Sequence, residues 1–281
     1  MRWKTGRRSE HIEDRRGMRI GRAGIVGGGI GMVVLALLAM FLGVDPGVIL
    51  GPGSPVATQD NRPPTAEEQE LADFTSVVLA ETEDVWGGIF QRNGGTYRKP
   101  TLVLFTDAVQ SACGTASSAV GPFYCPLDSQ VYLDLGFFEQ LSRQLGAPGD
   151  FAQAYVVAHE VGHHVQNLLG LSGQVREAQQ RMDESQANRL SVMLELQADC
   201  FAGLWAHYAD RERNIVEEGD IDEALNAASQ IGDDTLQRRS RGEVVPDSFT
   251  HGSSEQRMRW FMHGFTSGDL NSCDTFGSDD L

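Results

Sequence analysis

The run His159-Glu-Val-Gly-His163 limits what this chain can fold into more than any other stretch. Residues 151–158 before it contain no glycine or proline, so a helix is expected to carry the motif. On a helix, positions four apart stand one turn above each other, and both imidazoles can reach one Zn²⁺. Glu160 points about 100° round the helix, beside the metal and not on it. There it can take a proton from a water that the metal activates.

Catalytic zinc takes three protein ligands and keeps one position open, so a second element must bring another ligand against this helix. Thirty-two residues after His163 the chain reads Leu194-Glu-Leu-Gln-Ala-Asp-Cys200, within a stretch, 174–202, that lacks Gly and Pro. Glu195 on a second helix is the expected third ligand. Asp199, four residues on, shares its face and can accept the outer N–H of a zinc-bound imidazole, fixing its tautomer. Asp199 as ligand with Glu195 behind it, or a Cys200 thiolate, are the alternatives. His164 points elsewhere on the helix and reads as a packed histidine. The Glu-x-x-x-Asp pair is similar to that of the thermolysin-like peptidases, the gluzincins. The metzincin pattern is excluded, because Gln166 and Leu169 stand where it needs Gly and His.

The remaining pattern predicts a mainly α fold with a small β-sheet (α+β), a zincin-like domain at 65–281. Thr65-x-x-Glu68 forms a capping box for a helix to about Phe90, with Leu71, Phe74, Val78 and Val85 at helical spacing. Residues 100–105 and 130–134 read as strands; the second is the expected edge strand for extended substrate. Residues 220–239 and 253–265 read as helices.

Ahead of this domain the charge is divided. Residues 1–22 hold eight Lys/Arg against three acids, a net of +5, whereas the whole chain carries −16. The chain beyond Arg22 therefore has no basic patch for nucleic acid. Residues 24–44 are free of charge and long enough to span a bilayer as a signal anchor. The basic flank then places residues 1–23 in the cytoplasm. Residues 45–64 are a Pro/Gly-rich linker, and the catalytic domain is periplasmic or extracellular. Four cysteines allow three pairings; Cys113–Cys125 with Cys200–Cys273 is the simplest, and an extracytoplasmic site permits both bonds.

The chain resembles the bacterial family of neutral zinc metallopeptidases, single-pass membrane proteins with a catalytic domain outside the cytoplasm. The resemblance runs from the Arg-rich start to the C-terminus. It is carried by Gly121-Pro-Phe-Tyr-Cys-Pro126, Asp150-Phe-Ala-Gln153, Ala158-His-Glu-Val-Gly-His-His164, Glu195-Leu-Gln-Ala-Asp-Cys-Phe-Ala-Gly203 and Val245-Pro-Asp-Ser-Phe-Thr-His-Gly252. Thr250-His251 followed by Arg257 is also similar to the segment after the Glu-x-x-x-Asp helix in HtpX and CAAX prenyl protease-type membrane peptidases. His251 or Arg257 is then a candidate donor to the oxyanion of a tetrahedral intermediate. Together these residues predict one Zn²⁺ per chain on His159, His163 and Glu195, with Glu160 as base in hydrolysis of protein or peptide substrates. A zinc-binding envelope scaffold without turnover and a membrane-tethered interaction module without metal are the alternatives. Against both, a structural site is usually closed by four protein ligands and has no use for Glu160.

Overall fold

The computed structural model describes residues 1–17, 63–278 and 281. The apolar run Thr101–Phe105, β2, has no polar face, and the fold covers both of its sides. It pairs in parallel with β1 (Ile12–Asp14) on one edge and β6 (Gln130–Asp134) on the other, in register from Thr101↔Gln130 to Phe105↔Asp134. β5 (Phe123–Cys125) lies antiparallel to β6, giving the order β1-β2-β6-β5. Strand side chains alternate between faces, so Leu102, Leu104, Val131 and Leu133 join the helical core. Val103, Phe105 and Tyr132 point the other way, against the hairpin of β3 (Ala108–Ser111) and β4 (Gly114–Ser117). A Cys113–Cys125 disulfide ties that hairpin to the sheet's β5 edge.

The helices are α1 (Ala66–Arg92), α2 (Gly136–Arg143), α3 (Asp150–Leu168), α4 (Leu171–Gln179), α5 (Glu184–Arg211), α6 (Asp220–Gln230), α7 (Asp233–Arg241) and α8 (Ser254–Ser267). The Thr65–Glu68 capping box is present at the start of α1. Trp86, Phe151, Tyr155, Phe201, Trp205 and Phe261 fill the space between α1, α3, α5 and α8, all of them buried. α5 and α8 cross closely because each carries a glycine at the contact. A Cβ on Gly203 would overlap the Phe261 carbonyl, and one on Gly264 the Cys200 carbonyl. The second disulfide, Cys200–Cys273, joins α5 to the 3₁₀ turn Leu270–Cys273. The fold is mainly helical with a small sheet, as the pattern predicts.

Within the stretch 174–202 the chain turns after α4 and restarts as α5, where Asp183 and Gln186 form a capping box. Two local expectations differ from the structure. The helix over 220–239 is broken at Gly232, whose extended backbone leaves no room for a Cβ beside Ser254. Gln130–Asp134 is not an edge strand: β2 and β5 flank it, and β5 holds the edge.

The largest difference lies at the N-terminus. The sequence sets residues 1–23 apart from a domain starting at 65, yet residues 1–17 belong to that domain's fold. The Leu102 N–H donates to the His11 carbonyl, and the Arg15 N–H to that of Leu104. Ser9, Arg7 and His11 reach the buried carboxylate of Glu83 on α1. The Met1 amino group lies against Asp150 and Asp220, at the starts of α3 and α6. The expected transmembrane helix at 24–44 lies outside the described residues, as does 45–62 of the expected linker. Among the described residues no helix is long and apolar enough to cross a membrane.

Candidate metal centre

The site exists because α5 can press against α3 at Gly162. A Cβ there would stand 3.0 Å from the Ala198 carbonyl oxygen and 3.1 Å from its Cα, tighter than ordinary packing. That approach slides Glu195 between the two histidines. Its Oε2 is 3.1 Å from His159 Nε2, and its Oε1 is 3.4 Å from His163 Nε2. The donor atoms of His159, His163 and Glu195 all fall within 4.8 Å of one another. Zinc bonds of 2.0–2.1 Å in a tetrahedron require donors about 3.3 Å apart, so this set fits zinc with little adjustment.

Each imidazole is held by its outer nitrogen, which leaves Nε2 for the metal. His159 Nδ1 lies 2.8 Å from Asp199 Oδ1, and His163 Nδ1 lies 2.9 Å from Gln166 Oε1. Since carboxylate and amide oxygens only accept, both histidines donate from Nδ1. Gln166 is fixed in turn, its amide nitrogen donating to the Leu194 carbonyl at 2.7 Å and to Gln197 Oε1 at 3.1 Å. Asp199 is fully buried and also accepts from Tyr155 Oη (2.5 Å) and from Arg257 Nε and Nη2 (2.8 and 3.0 Å). Burial works against a charged His159, but Asp199 and Glu195 outweigh it and push its pKa up to about 10 without a metal. Zinc must therefore displace a proton to bind at neutral pH.

A cavity of about 490 Å³ opens on this cluster. Glu160 lies on its wall, 8 % exposed, and makes no side-chain hydrogen bond or ion pair among the described residues. Burial raises its pKa above the ordinary carboxylate value, even though His163 and His159 pull the other way. His251 reaches the same cavity, its Nδ1 3.2 Å from Asp233 Oδ1. Asp233 is buried, and its Oδ2 accepts the backbone N–H groups of Thr250, His251 and Gly252. Burial disfavours the His251 cation, but Asp233 and Glu195 raise its pKa overall.

The strand β5, at the edge of the sheet, also lines the cavity. Tyr124 fastens it to α3 through a chain in which Asn167 donates to Tyr124 Oη and Tyr124 donates to His164 Nδ1 (3.0 Å). His164 Nε2–H donates to the Arg98 carbonyl. Burial pushes the His164 pKa down to about 4, so the ring is neutral, as both contacts require.

The structure thus gathers His159, His163 and Glu195 at one point, with Glu160 and His251 facing the same space and Asp199 behind His159. Arg257 is placed otherwise. It borders the cavity, but its guanidinium is spent on Asp199, on Tyr155 Oη (3.2 Å) and on the Ile231 carbonyl (3.4 Å). Sequence reasoning missed Gln166, Tyr155 and Asp233. Gln166 and Tyr155 had a faint signal, three residues after His163 and four before His159 on the same helix. Asp233 had none, since its partner is 18 residues away across a helix and a loop.

Residues 1–276 match the family described as "Putative neutral zinc metallopeptidase", and the chain belongs to that family. It is 50% identical to the uncharacterized protein YpfJ of Escherichia coli K12, over 99% of both chains. It is 41% identical to the uncharacterized proteins Rv2575 of Mycobacterium tuberculosis and Mb2605 of Mycobacterium bovis, over 86% of each chain. No solved structure matches it.

Proposed function

Taking that membership as the premise, we propose that the chain is a zinc-dependent endopeptidase of the cell envelope. His159, His163 and Glu195 would hold the metal. Bound zinc supplies Lewis acidity, making water more acidic and polarising the scissile carbonyl. Glu160 accepts the proton of the attacking water and returns it to the leaving amine; a raised pKa suits both transfers. His251, oriented by Asp233, donates to the developing oxyanion. Asp199, with Tyr155 and Arg257 behind it, keeps His159 in the tautomer that ligation needs.

Substrate peptide would lie along the free edge of β5 and add to the sheet as a further strand. The cavity beside it is lined by Val120, Phe123, Phe137, Val156, Val175 and Leu236, which suits peptides with large apolar side chains. The two disulfides support a location outside the cytoplasm, and the apolar residues 24–44 support contact with the membrane.

The observation that carries this reading is Glu160. A zinc that only braced the fold would not need a buried, unengaged carboxylate beside its open position. The test is Glu160→Gln in the full chain, assayed for zinc content and for cleavage of apolar peptides. Zinc should stay at the wild-type level while the cleavage rate falls about 10²–10⁴-fold. Cleavage at the wild-type rate would remove Glu160 from the mechanism.

A further inference from the structure

The basic segment before the apolar run has partners, and most of them lie on the zinc-site domain. Arg2 pairs with Glu217, Lys4 with Glu70, Arg7 with Glu83 and Asp84, and Arg8 with Asp73. Arg15 and Arg16 pair with Glu13 and Asp14 of β1 itself. Six of the eight Lys/Arg in residues 1–22 are therefore matched with carboxylates; Arg19 and Arg22 lie outside the described residues. Four of them, Arg2, Lys4, Arg7 and Arg8, answer acids of the domain.

Two contacts make this more than a surface association. β1 completes the sheet in register with β2, from Ile12↔Leu102 to Asp14↔Leu104. Glu83 has a fully buried side chain and four partners, of which Arg7, Ser9 and His11 come from the N-terminal segment and only Lys99 from elsewhere. Three of the four groups that balance this carboxylate in its buried position thus come from residues 1–17.

The two ends of 18–62 also meet. Arg16 Nη1 donates to the Glu68 carbonyl in the first turn of α1 at 3.0 Å. Residues 24–44 have the length for one bilayer crossing and not for two. The sequence of 45–62 offers no second apolar span, since it includes Asp45, Asp60, Arg62 and several prolines and glycines. A single crossing would therefore leave β1 and β2 on opposite sides of the membrane. We propose that the chain does not change sides between residue 17 and residue 63, so the basic N-terminal segment and the metal centre share one compartment. The basic flank is then a docking sequence for the domain and not a cytoplasmic topology signal. This holds whether or not the protein is a peptidase.

The test is thiol labelling of the full chain in cells. The four native cysteines are paired, so one new thiol reports its own side. Lys4→Cys and Glu139→Cys suit this, since the native side chains are 77% and 66% exposed. Each variant is treated with a membrane-impermeant maleimide in intact cells, then after permeabilisation, with a cytoplasmic thiol protein as leakage control. Both positions should label in intact cells. Protection of both until permeabilisation would also uphold a shared side, while overturning the extracytoplasmic location proposed above. Labelling of one position with protection of the other would overturn the inference.

Discussion

Replacing Asp199 with alanine tests whether the metal centre rests on a balanced buried charge. Asp199 is wholly inaccessible and accepts four hydrogen bonds, two of them from Arg257, which is itself 3% exposed. Alanine leaves that guanidinium with the Tyr155 hydroxyl and one backbone carbonyl, and no counter-ion at contact distance. Removing one partner of a buried pair costs about 3–5 kcal/mol. For a domain of this size each kcal/mol moves Tm by about 2–4 °C, so a fall of roughly 6–20 °C is expected. The melt is followed by circular dichroism in chelator, so that lost zinc binding cannot mimic lost stability. Arg257→Leu in the same background removes the stranded charge and should return a large part of the loss. A Tm shift below about 3 °C for Asp199→Ala, or a double variant that melts below it, would refute the account. Zinc affinity is a separate readout, and should fall about 10–100-fold through the freed His159 ring.

Glu195→Ala should purify with little zinc where the wild type holds one per chain; zinc retained at full occupancy would move the third ligand to Asp199. His251→Ala should keep its zinc and lower kcat on a cleavable peptide by about 10²–10³-fold. Asp233→Asn should lose less, since an amide oxygen can still accept from the backbone; an unchanged kcat in both would exclude the oxyanion role. Glu83→Gln should lower stability at pH 7 by about 1–3 kcal/mol through its charged hydrogen bonds to the N-terminal segment. Burial raises the Glu83 pKa, but Ser9, Arg7 and Lys99 outweigh it and hold it below 4.5. A carboxylate so depressed stabilises the fold above about pH 4.5 and loses that contribution as pH falls through its folded value. The gap between wild type and Glu83→Gln in urea melts should therefore narrow as pH falls below about 4.5; a gap that widens there would contradict this.

The parts of the site that could be read from sequence are those set by one helix's own period. His159, Glu160 and His163 stand in relation to each other whatever surrounds them, and so do Glu195 and Asp199. The meeting of the two helices was an expectation from zinc's need for a third ligand, and Gly162 is the local feature that permits it. What escaped depends on contacts with no period. Asp233 meets His251 only because Gly232 breaks the chain between α6 and α7. The edge beside the cavity belongs to β5 and not to β6, a matter of strand order that no single strand's pattern records.

At the N-terminus one composition answers two physical demands. Arginines ahead of an apolar run are what a cytoplasmic flank requires, and also what docking on an acidic domain requires. Net charge cannot separate the two, because both readings use the same cations. The distinction lies in where the opposing carboxylates are: Asp73, Asp84, Glu83 and Glu217 are scattered over about 145 residues of chain and become one surface only in the fold. The docking reading proposed above rests on Glu83. An exposed acid facing a basic segment could be a passing encounter, worth little in water. With residues 1–17 in place the Glu83 carboxylate has no accessible surface, and three of its four partners come from residues 7–11, so the segment both covers this charge and balances it.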